Sequence, residues 1–370
     1  MASAPEISVV VTSYQRPRNL ERCLLSLASQ TGFAGTMEVI VSDDGSTDDT
    51  PEVVERFARV APFPLRFITH QHDGFQASRV RNSGARSATA PYLLFTDGDC
   101  VLPPHFVAVH LAARRSGIAR AGQCHWLDGP TSSRLDAAAI RTAVYLKWVS
   151  VSERLRLLTC AAKAKLYEAV HHAYRPKLRG NNFAVWRSDY ERVNGFDETF
   201  IGWGCEDDDF RVRLRNAGVR IRSAPLGATV FHLWHPSDPT AGNDWKSGPN
   251  VGRLVRHTRL TRCLSGLVQR RLDEVAVRFV NEDRAIESTH GIQVCGVDEL
   301  CDAPEVEVLV FPGRGQFTRT ADCRVLLLTD NAAAPAQILR RADLVFRMPN
   351  NLSLRGEAVT ELRRALAAAA

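Results

Sequence analysis

Residues 92–100 read Tyr-Leu-Leu-Phe-Thr-Asp-Gly-Asp-Cys. A short apolar run closed abruptly by a polar turn is the signature of a strand buried on both faces. Here the strand delivers two carboxylates, one residue apart, at its carboxyl end. The same design recurs upstream. Residues 7–12 (ISVVVT) form a β-branched run that ends in Ser13-Tyr14, and residues 39–42 run into Asp43-Asp44-Gly45-Ser46. Residues 65–69 make a third such run. Helical segments separate the strands: 17–29, with Leu20, Leu24, Leu25 and Leu27 apolar, 48–60, and 78–88. Pro51 suits the first turn of the second of these. After residue 100 a helix over 103–115 and a strand over 118–123 continue the alternation.

Strands alternating with helices imply a mainly parallel sheet with right-handed crossovers. Ligands of such sheets bind beyond the carboxyl ends of the strands, which is where the polar motifs sit. Residues 132–178 read as amphipathic helix, rich in Ala, Leu, Arg and Lys, and residues 180–209 are densely polar and aromatic. The stretch 236–250 (PSDPTAGNDWKSGPN) is a Gly- and Pro-rich loop suited to act as a lid, with Trp245 in it. Residues 251–282 read as helix. Three strand-like runs at 306–311, 324–329 and 344–348 then suggest a small second α/β unit. We therefore expect a catalytic-size domain over 1–282 and a small α/β domain over 283–370.

The chain has 370 residues, 45% hydrophobic and 24% charged, with a formal net charge of +6. That is ordinary globular composition with a mild basic excess. The basic residues form no stripe interleaved with aromatics, so no nucleic-acid partner is expected. Arg253, Arg256, Arg259 and Arg262 recur at helical spacing and read as a solvated face, with peripheral membrane contact left open. The nine cysteines include no CxxC pair, which fits reduced, buried thiols and a cytoplasmic setting. Residues 1–11 lack the pattern of a signal peptide, and no run of 18 apolar residues occurs.

Asp97-Gly98-Asp99 at a strand end can hold a hard divalent cation that bridges two phosphates. On its own, the pattern is as easily a polar turn. Asp44, at the neighbouring strand end, can accept from a nucleobase N–H or a ribose hydroxyl, while Ser46 to Asp49 cap the next helix. Glu206-Asp207-Asp208-Asp209 opens a helix whose amino end favours negative charge, and it offers a carboxylate for general-base work. His232 and His235, three apart in FHLWHP, can complete a metal shell. His171-His172, Trp148 and Trp186 read as structural.

Taken in order, SVVVTSYQRPRNLERCLLSL, VIVSDDGSTDDT, RVRNSG and YLLFTDGDC resemble the start of family 2 glycosyltransferases with the GT-A fold. Asn194-Gly195-Phe196-Asp197-Glu198 with Gly202-Trp203-Gly204-Cys205-Glu206-Asp207-Asp208-Asp209 is similar to the carboxy-terminal half of β-1,4-galactosyltransferase and chondroitin-polymerase type enzymes. The resemblance covers residues 6–250 and departs at Cys205, where the family often carries Gly.

The resemblance implies a Rossmann-like GT-A domain that uses Mn²⁺ or Mg²⁺. It implies inverting transfer of a sugar from a nucleotide-diphosphate donor, UDP foremost, to a glycan, glycolipid or polysaccharide precursor. A peptide or protein acceptor read by the carboxy-terminal unit is the alternative. Thr12, Tyr14, Arg16, Asp44, Arg79, Arg81 and Asp97 would contact the nucleotide. Asp99 with His232 or His235 would hold the metal. Trp203, Gly204, Glu206, Asp208 and Asn182 would line the sugar sites, and Asp207 would be the base. A nucleotidyltransferase is the rival enzyme, but no Gly-rich triphosphate loop follows the first strand. A non-catalytic binder would not need the Glu206–Asp209 run.

Overall fold

The computed structural model describes residues 4–172, 174–237, 248–254, 260–271, 274–280, 293–295, 304–311, 315–317, 321–329 and 332–348. The strands of the first unit are β1 (Ile7–Ser13), β2 (Met37–Asp43), β3 (Leu65–Thr69), β4 (Tyr92–Asp97), β5 (Cys100–Val101), β6 (Ile118–Ala121), β7 (Gln123–Trp126), β8 (Asn182–Trp186), β9 (Arg220–Ser223) and β10 (Thr229–His232). Its helices are α1 (Pro17–Ala28), α2 (Thr50–Ala58), α3 (Ala77–Ser87), α4 (Phe106–Ala113), α5 (Gly129–Arg134), α6 (Ala137–Thr142), α7 (Val151–Ala169), α8 (Arg187–Arg192), α9 (Glu206–Asn216) and α10 (Val251–Leu254).

Seven strands form one sheet in the order β3-β2-β1-β4-β8-β6-β9. The pairs β3–β2, β2–β1, β1–β4 and β6–β9 are parallel, and β8 runs antiparallel to both β4 and β6. This is the mixed α/β architecture with a large, mostly parallel sheet that the alternation predicts. The chain builds outward from β1 in one direction through β2 and β3, then returns to place β4 on the other side of β1. Such a reversal opens a crevice at the strands' carboxyl ends, and the register sets Thr12 of β1 beside Asp97 of β4.

The continuous apolar runs are buried as their composition requires: Val9, Val10, Val11, Val39, Ile40, Leu93, Leu94 and Phe95 are all fully enclosed. A second, three-stranded sheet, β5-β10-β7, sits at the same end. Its antiparallel register pairs His232 with Cys100 and so carries the end of β10 to the residue following Asp99.

The polar stretch near residue 200 is anchored by an aromatic cluster. Phe95 stacks on Phe183 at 4.5 Å, and Phe210 stacks on Phe196 at 4.3 Å. Phe210 lies one turn beyond Asp207, so its burial fixes the first turn of α9 against the sheet.

The second unit, Val255–Ala370, contains β11 (Ala276–Phe279), β12 (Gln293–Cys295), β13 (Val306–Phe311), β14 (Cys323–Thr329), α11 (Ala336–Leu339) and β15 (Leu344–Met348). The order β12-β11-β13-β14-β15 is parallel throughout. Two sequence expectations differ here. Residues 251–282 are not one helix: among the described residues only Val251–Leu254 is helical, and Ala276–Phe279 is a strand whose Val277 and Phe279 are buried by pairing. The division between units falls at Leu254/Val255, where the sequence suggested 282/283. No helix among the described residues is long and apolar enough to cross a membrane.

Candidate active site

At the switch point, Thr12 donates its hydroxyl to Asp97 at 2.7 Å, and the Gly98 amide donates to the Thr12 carbonyl at 2.7 Å. Gly98 is required for this approach: a Cβ there would lie 2.9 Å from that carbonyl. Arg81, from α3, reaches the same carboxylate at 3.6 Å and donates to Glu206 Oε1 at 3.0 Å. Its guanidinium stacks over Phe196 and is pressed against Gly180, where a Cβ would fall 2.0 Å from Nη2. The sequence reading assigned Arg81 to the nucleotide. The side chain is buried, at 5% exposure, with Nη1 and Nη2 turned to carboxylates of the protein and Nε without a partner among the described residues. It spans from the Asp-x-Asp turn to the acidic helix.

The strand ends to one side of β1 gather Asp44, His70 and His72. Asp44 is buried, takes His70 Nε2 at 2.9 Å and the Gln76 amide at 3.3 Å, and lies 3.6 Å from His72. Burial pushes its carboxyl above the ordinary range, against the pull of that amide and the two imidazoles. Tyr14 stacks on His72 at 4.3 Å, nearly parallel, as a flat platform at the crevice wall. Arg79 turns to Gln76 at 3.4 Å. The two histidines were missed from the sequence. The signal was the His-x-His that directly follows β3, at the same level as the other strand-end motifs. Just before helix α2, Asp48 accepts from the Thr50 amide and hydroxyl at 3.1 and 2.6 Å, while the N-cap residue itself is Asp49, whose side chain makes no capping bond.

Asp99, buried, faces three cationic or imidazole groups: Arg16 at 3.3 Å, His232 Nε2 at 3.3 Å and His235 Nε2 at 3.0 Å. Both imidazoles bring Nδ1 to a backbone carbonyl, His232 to Leu233 at 2.8 Å and His235 to Pro236 at 2.7 Å. With Nδ1–H donating there, both Nε2 atoms are aimed at Asp99, the arrangement that orients metal-binding imidazoles. One ligand atom from each of Asp99, His232 and His235 fits within 4.8 Å of the others. One carboxylate and two imidazoles suit a borderline divalent ion such as Mn²⁺ better than Mg²⁺, which favours an all-oxygen shell. Burial would raise the Asp99 carboxyl, yet the hydrogen bond from His235 and the charges of His232, His235 and Arg16 hold it below its usual value. The same hydrogen bond lifts His235 above an ordinary imidazole. The sequence left open which histidine ligates; the geometry brings both to Asp99. Trp126 packs on His232 at 4.0 Å and fixes the ring.

Three of the four carboxylates that open α9 are paired. Glu206 takes Arg81, Asp208 takes Arg211 at 3.1 Å and Lys177 at 3.6 Å, and Asp209 takes Arg213 at 2.7 Å. Asp207 makes no ion pair among the described residues. Burial, then the charges of Glu206 and Asp208, push its carboxyl up to about 7, against the pull of Arg81. Cys205 caps the helix at φ +73°, a left-handed conformation that costs a non-glycine residue ~1 kcal/mol. That accounts for glycine being common there in the family. Asn250 donates to the Gly202 and Gly204 carbonyls and ties the Trp203 turn in place, with Trp203 itself 40% exposed.

Asn182, expected at the sugar site, is fully buried instead. Its amide donates to the carbonyls of Gln123 at 2.8 Å and Ala228 at 2.7 Å, and it packs where Gly122 leaves room. It is a tie between β7 and the residue before β10. Asn182→Ala is expected to destabilise the fold by about 2 kcal/mol while leaving the donor KM within about twofold, since two buried carbonyls lose their donor. Thermal unfolding and steady-state kinetics check this. Of the lid loop, residues 238–247 including Trp245 lie outside the described residues, as do Arg256 and Arg259.

Residues 8–117 match the family described as glycosyl transferase family 2, and residues 164–236 match the N-terminal domain of galactosyltransferase. The chain is 32% identical over 229 residues to validoxylamine A glucosyltransferase of Streptomyces hygroscopicus subsp. jinggangensis, covering 58% of this chain and 52% of that protein. It is 27% identical over 262 residues to the chondroitin synthase of Escherichia coli, covering 66% of this chain and 37% of the synthase. The chain thus spans about half the length or less of these curated relatives. Among solved structures it is similar to a mannosyltransferase of Pyrobaculum calidifontis in complex with GDP-Man and Mn²⁺, at 22% identity and a TM-score of 0.44, covering 63% of this chain and 58% of that one.

Proposed function

We propose that this chain, a family 2 glycosyltransferase by the segments it carries, moves a sugar from a UDP-sugar to a carbohydrate hydroxyl with inversion at the anomeric carbon. The observation that carries the reading is the junction made by Arg81. One guanidinium separates the Asp-x-Asp turn, suited to a diphosphate, from a helix start with one uncompensated carboxylate. A donor's leaving group and an acceptor's proton therefore have partners on adjoining walls.

In this reading Asp207 takes the proton of the acceptor hydroxyl as that oxygen forms its bond to the anomeric carbon. The bond from that carbon to the diphosphate oxygen breaks, and the diphosphate leaves with the electron pair. A carboxyl poised near 7 is matched to this work at neutral pH. Glu206 keeps one oxygen, Oε2, buried and without a protein partner, an acceptor suited to a sugar hydroxyl. Tyr14 and Asp44, supported by His70 and His72, suit the nucleoside: an aromatic face for the base and a carboxylate for an N–H or hydroxyl. Asp99, His232 and His235 would hold the divalent ion, whose charge would offset that of the leaving diphosphate.

The test is a panel of UDP-, GDP- and dTDP-sugars, scored for binding and slow hydrolysis with Mn²⁺ and with chelator. We expect one UDP-sugar to bind and turn over with Mn²⁺, and chelator to lower turnover at least a hundredfold. Turnover unaffected by chelator would reject the metal, and no binding of any donor would reject the transferase.

A further inference from the structure

Helix α7 is unusual for a helix of its length in a folded domain: none of its 19 residues is buried. Its inner face is partly covered and consists of Glu153, Leu157, Ala161, Ala164, Tyr167 and Glu168. Its outer face carries Val151, Leu155, Leu158, Ala162 and Leu166 at i, i+4, i+7, i+11 and i+15, one continuous stripe along the helix. The four large members are 74%, 58%, 53% and 60% exposed, and Val170 just beyond the helix is 60% exposed.

The charges sort by face as well. Both carboxylates are turned to the body of the protein: Glu153 to His125 at 2.6 Å, and Glu168 to Arg222 at 3.0 Å and the Ser223 amide at 2.5 Å. Arg154 and Lys165 flank the apolar stripe on one side and Lys163 on the other, all exposed, while Arg156 on that second side is paired with Glu153 at the edge of the inner face. An apolar stripe bordered by long basic side chains, three of them without a carboxylate partner on this helix, is the pattern of a helix that lies in the plane of an anionic lipid surface.

We propose that α7 docks this protein onto an anionic bilayer surface, its leucine stripe in the headgroup region and its Arg and Lys side chains on the lipid phosphates. A second copy fits less well. It would set three uncompensated positive charges against three, and the stripe offers roughly 100 Å² from each large side chain, short of the ~800 Å² per partner of a stable dimer. Glu153 also ties α7 through His125 to the strand that ends in Trp126, beside His232. A surface bound by α7 would therefore lie near the transfer site, although the docking does not depend on the transferase reading.

The test is co-sedimentation of the full chain with vesicles of phosphatidylcholine alone and with about one-third phosphatidylserine, at low and high salt, with the solution mass measured by light scattering. We expect binding to the anionic vesicles at least tenfold stronger than to the neutral ones and weakened by salt. Leu155→Glu with Leu158→Glu should abolish it, and Lys163→Glu with Lys165→Glu should lower it at least tenfold, each with an unchanged thermal midpoint. These variants are exposed, so an unfolded product is not expected; should one unfold, the Lys pair and Leu158→Ser supply the same comparison. Equal affinity for neutral and anionic vesicles, no binding to either, or binding untouched by these variants would overturn the proposal. So would a dimer that the leucine substitutions dissociate.

Discussion

Asp207→Asn is expected to lower kcat about a thousandfold while donor affinity stays within about threefold, because the amide keeps the shape and loses the base. The three neighbouring carboxylates cannot take over cheaply. Glu206 is held by Arg81, Asp208 by Arg211 and Lys177, and Asp209 by Arg213. The raised carboxyl gives the same variant a second signature. An aspartate of the unfolded chain loses its proton near ~3.9, whereas Asp207 in the fold holds its proton up to about 7. Between those values the folded protein binds the extra proton, so stability falls as pH rises from about 4 to about 7. Asparagine never ionises and escapes that loss. The variant should match the wild type near pH 4 and exceed it by roughly 1–3 kcal/mol above pH 7, the full linkage discounted for partial exposure.

The wild-type kcat/KM should rise with pH through a midpoint near 7, reporting the free enzyme's base. Thermal midpoints across pH, beside single-turnover rates, decide this. A variant keeping a tenth of the activity would move the base elsewhere. One that is inactive but no more stable at pH 8 would leave Asp207 as a residue whose carboxyl is not raised.

Much of the first unit was legible because its strands carry their own evidence. Runs such as ISVVVT and YLLFTD are apolar without alternation and end at polar turns, so the strands and a mainly parallel sheet followed from local pattern, while the strand order and the antiparallel β8 did not. The contacts that arm the site were not local. His232 meets Asp99 because β5 and β10 pair in one register, which no spacing reveals. Arg81 was assigned to the nucleotide by the resemblance of its RVRNSG segment to the family's helix after the third strand. Its burial depends on Gly180, a hundred residues away, leaving the space for its guanidinium. Asn182 misled in the same way, an amide in a polar stretch whose partners are two distant carbonyls. The 251–282 segment misread for a different reason. Its Arg and Leu spacing fits a helix, but Val277 and Phe279 are drawn into a sheet by strands that follow later in the chain.

Asp99→Ala should abolish Mn²⁺ binding in calorimetry and lower kcat/KM at least a thousandfold, the second of the two largest effects. The carboxylate supplies the only negative charge among the three donors. Without it, two imidazoles and the nearby Arg16 guanidinium present a neutral-to-positive site to a dication. The histidines should behave alike but less severely. Each already has its Nδ1 fixed by a carbonyl, so His232→Ala and His235→Ala each remove one preoriented donor and leave the other in place. We expect Mn²⁺ affinity to drop about ten- to a hundredfold in either, or ~1.4–2.8 kcal/mol.

The two differ in surroundings, and that separates a ligand from a bystander. His232 is buried and braced by Trp126, whereas His235 is partly open, so Trp126→Ala should weaken Mn²⁺ binding through His232, by less than His232→Ala does. If one histidine can be replaced with no change in Mn²⁺ affinity, that residue serves only as a hydrogen-bond partner of Asp99. If neither matters while chelator still abolishes turnover, the ion is held by Asp97 and the substrate's own phosphates, and the paired histidines hold Asp99 for another purpose.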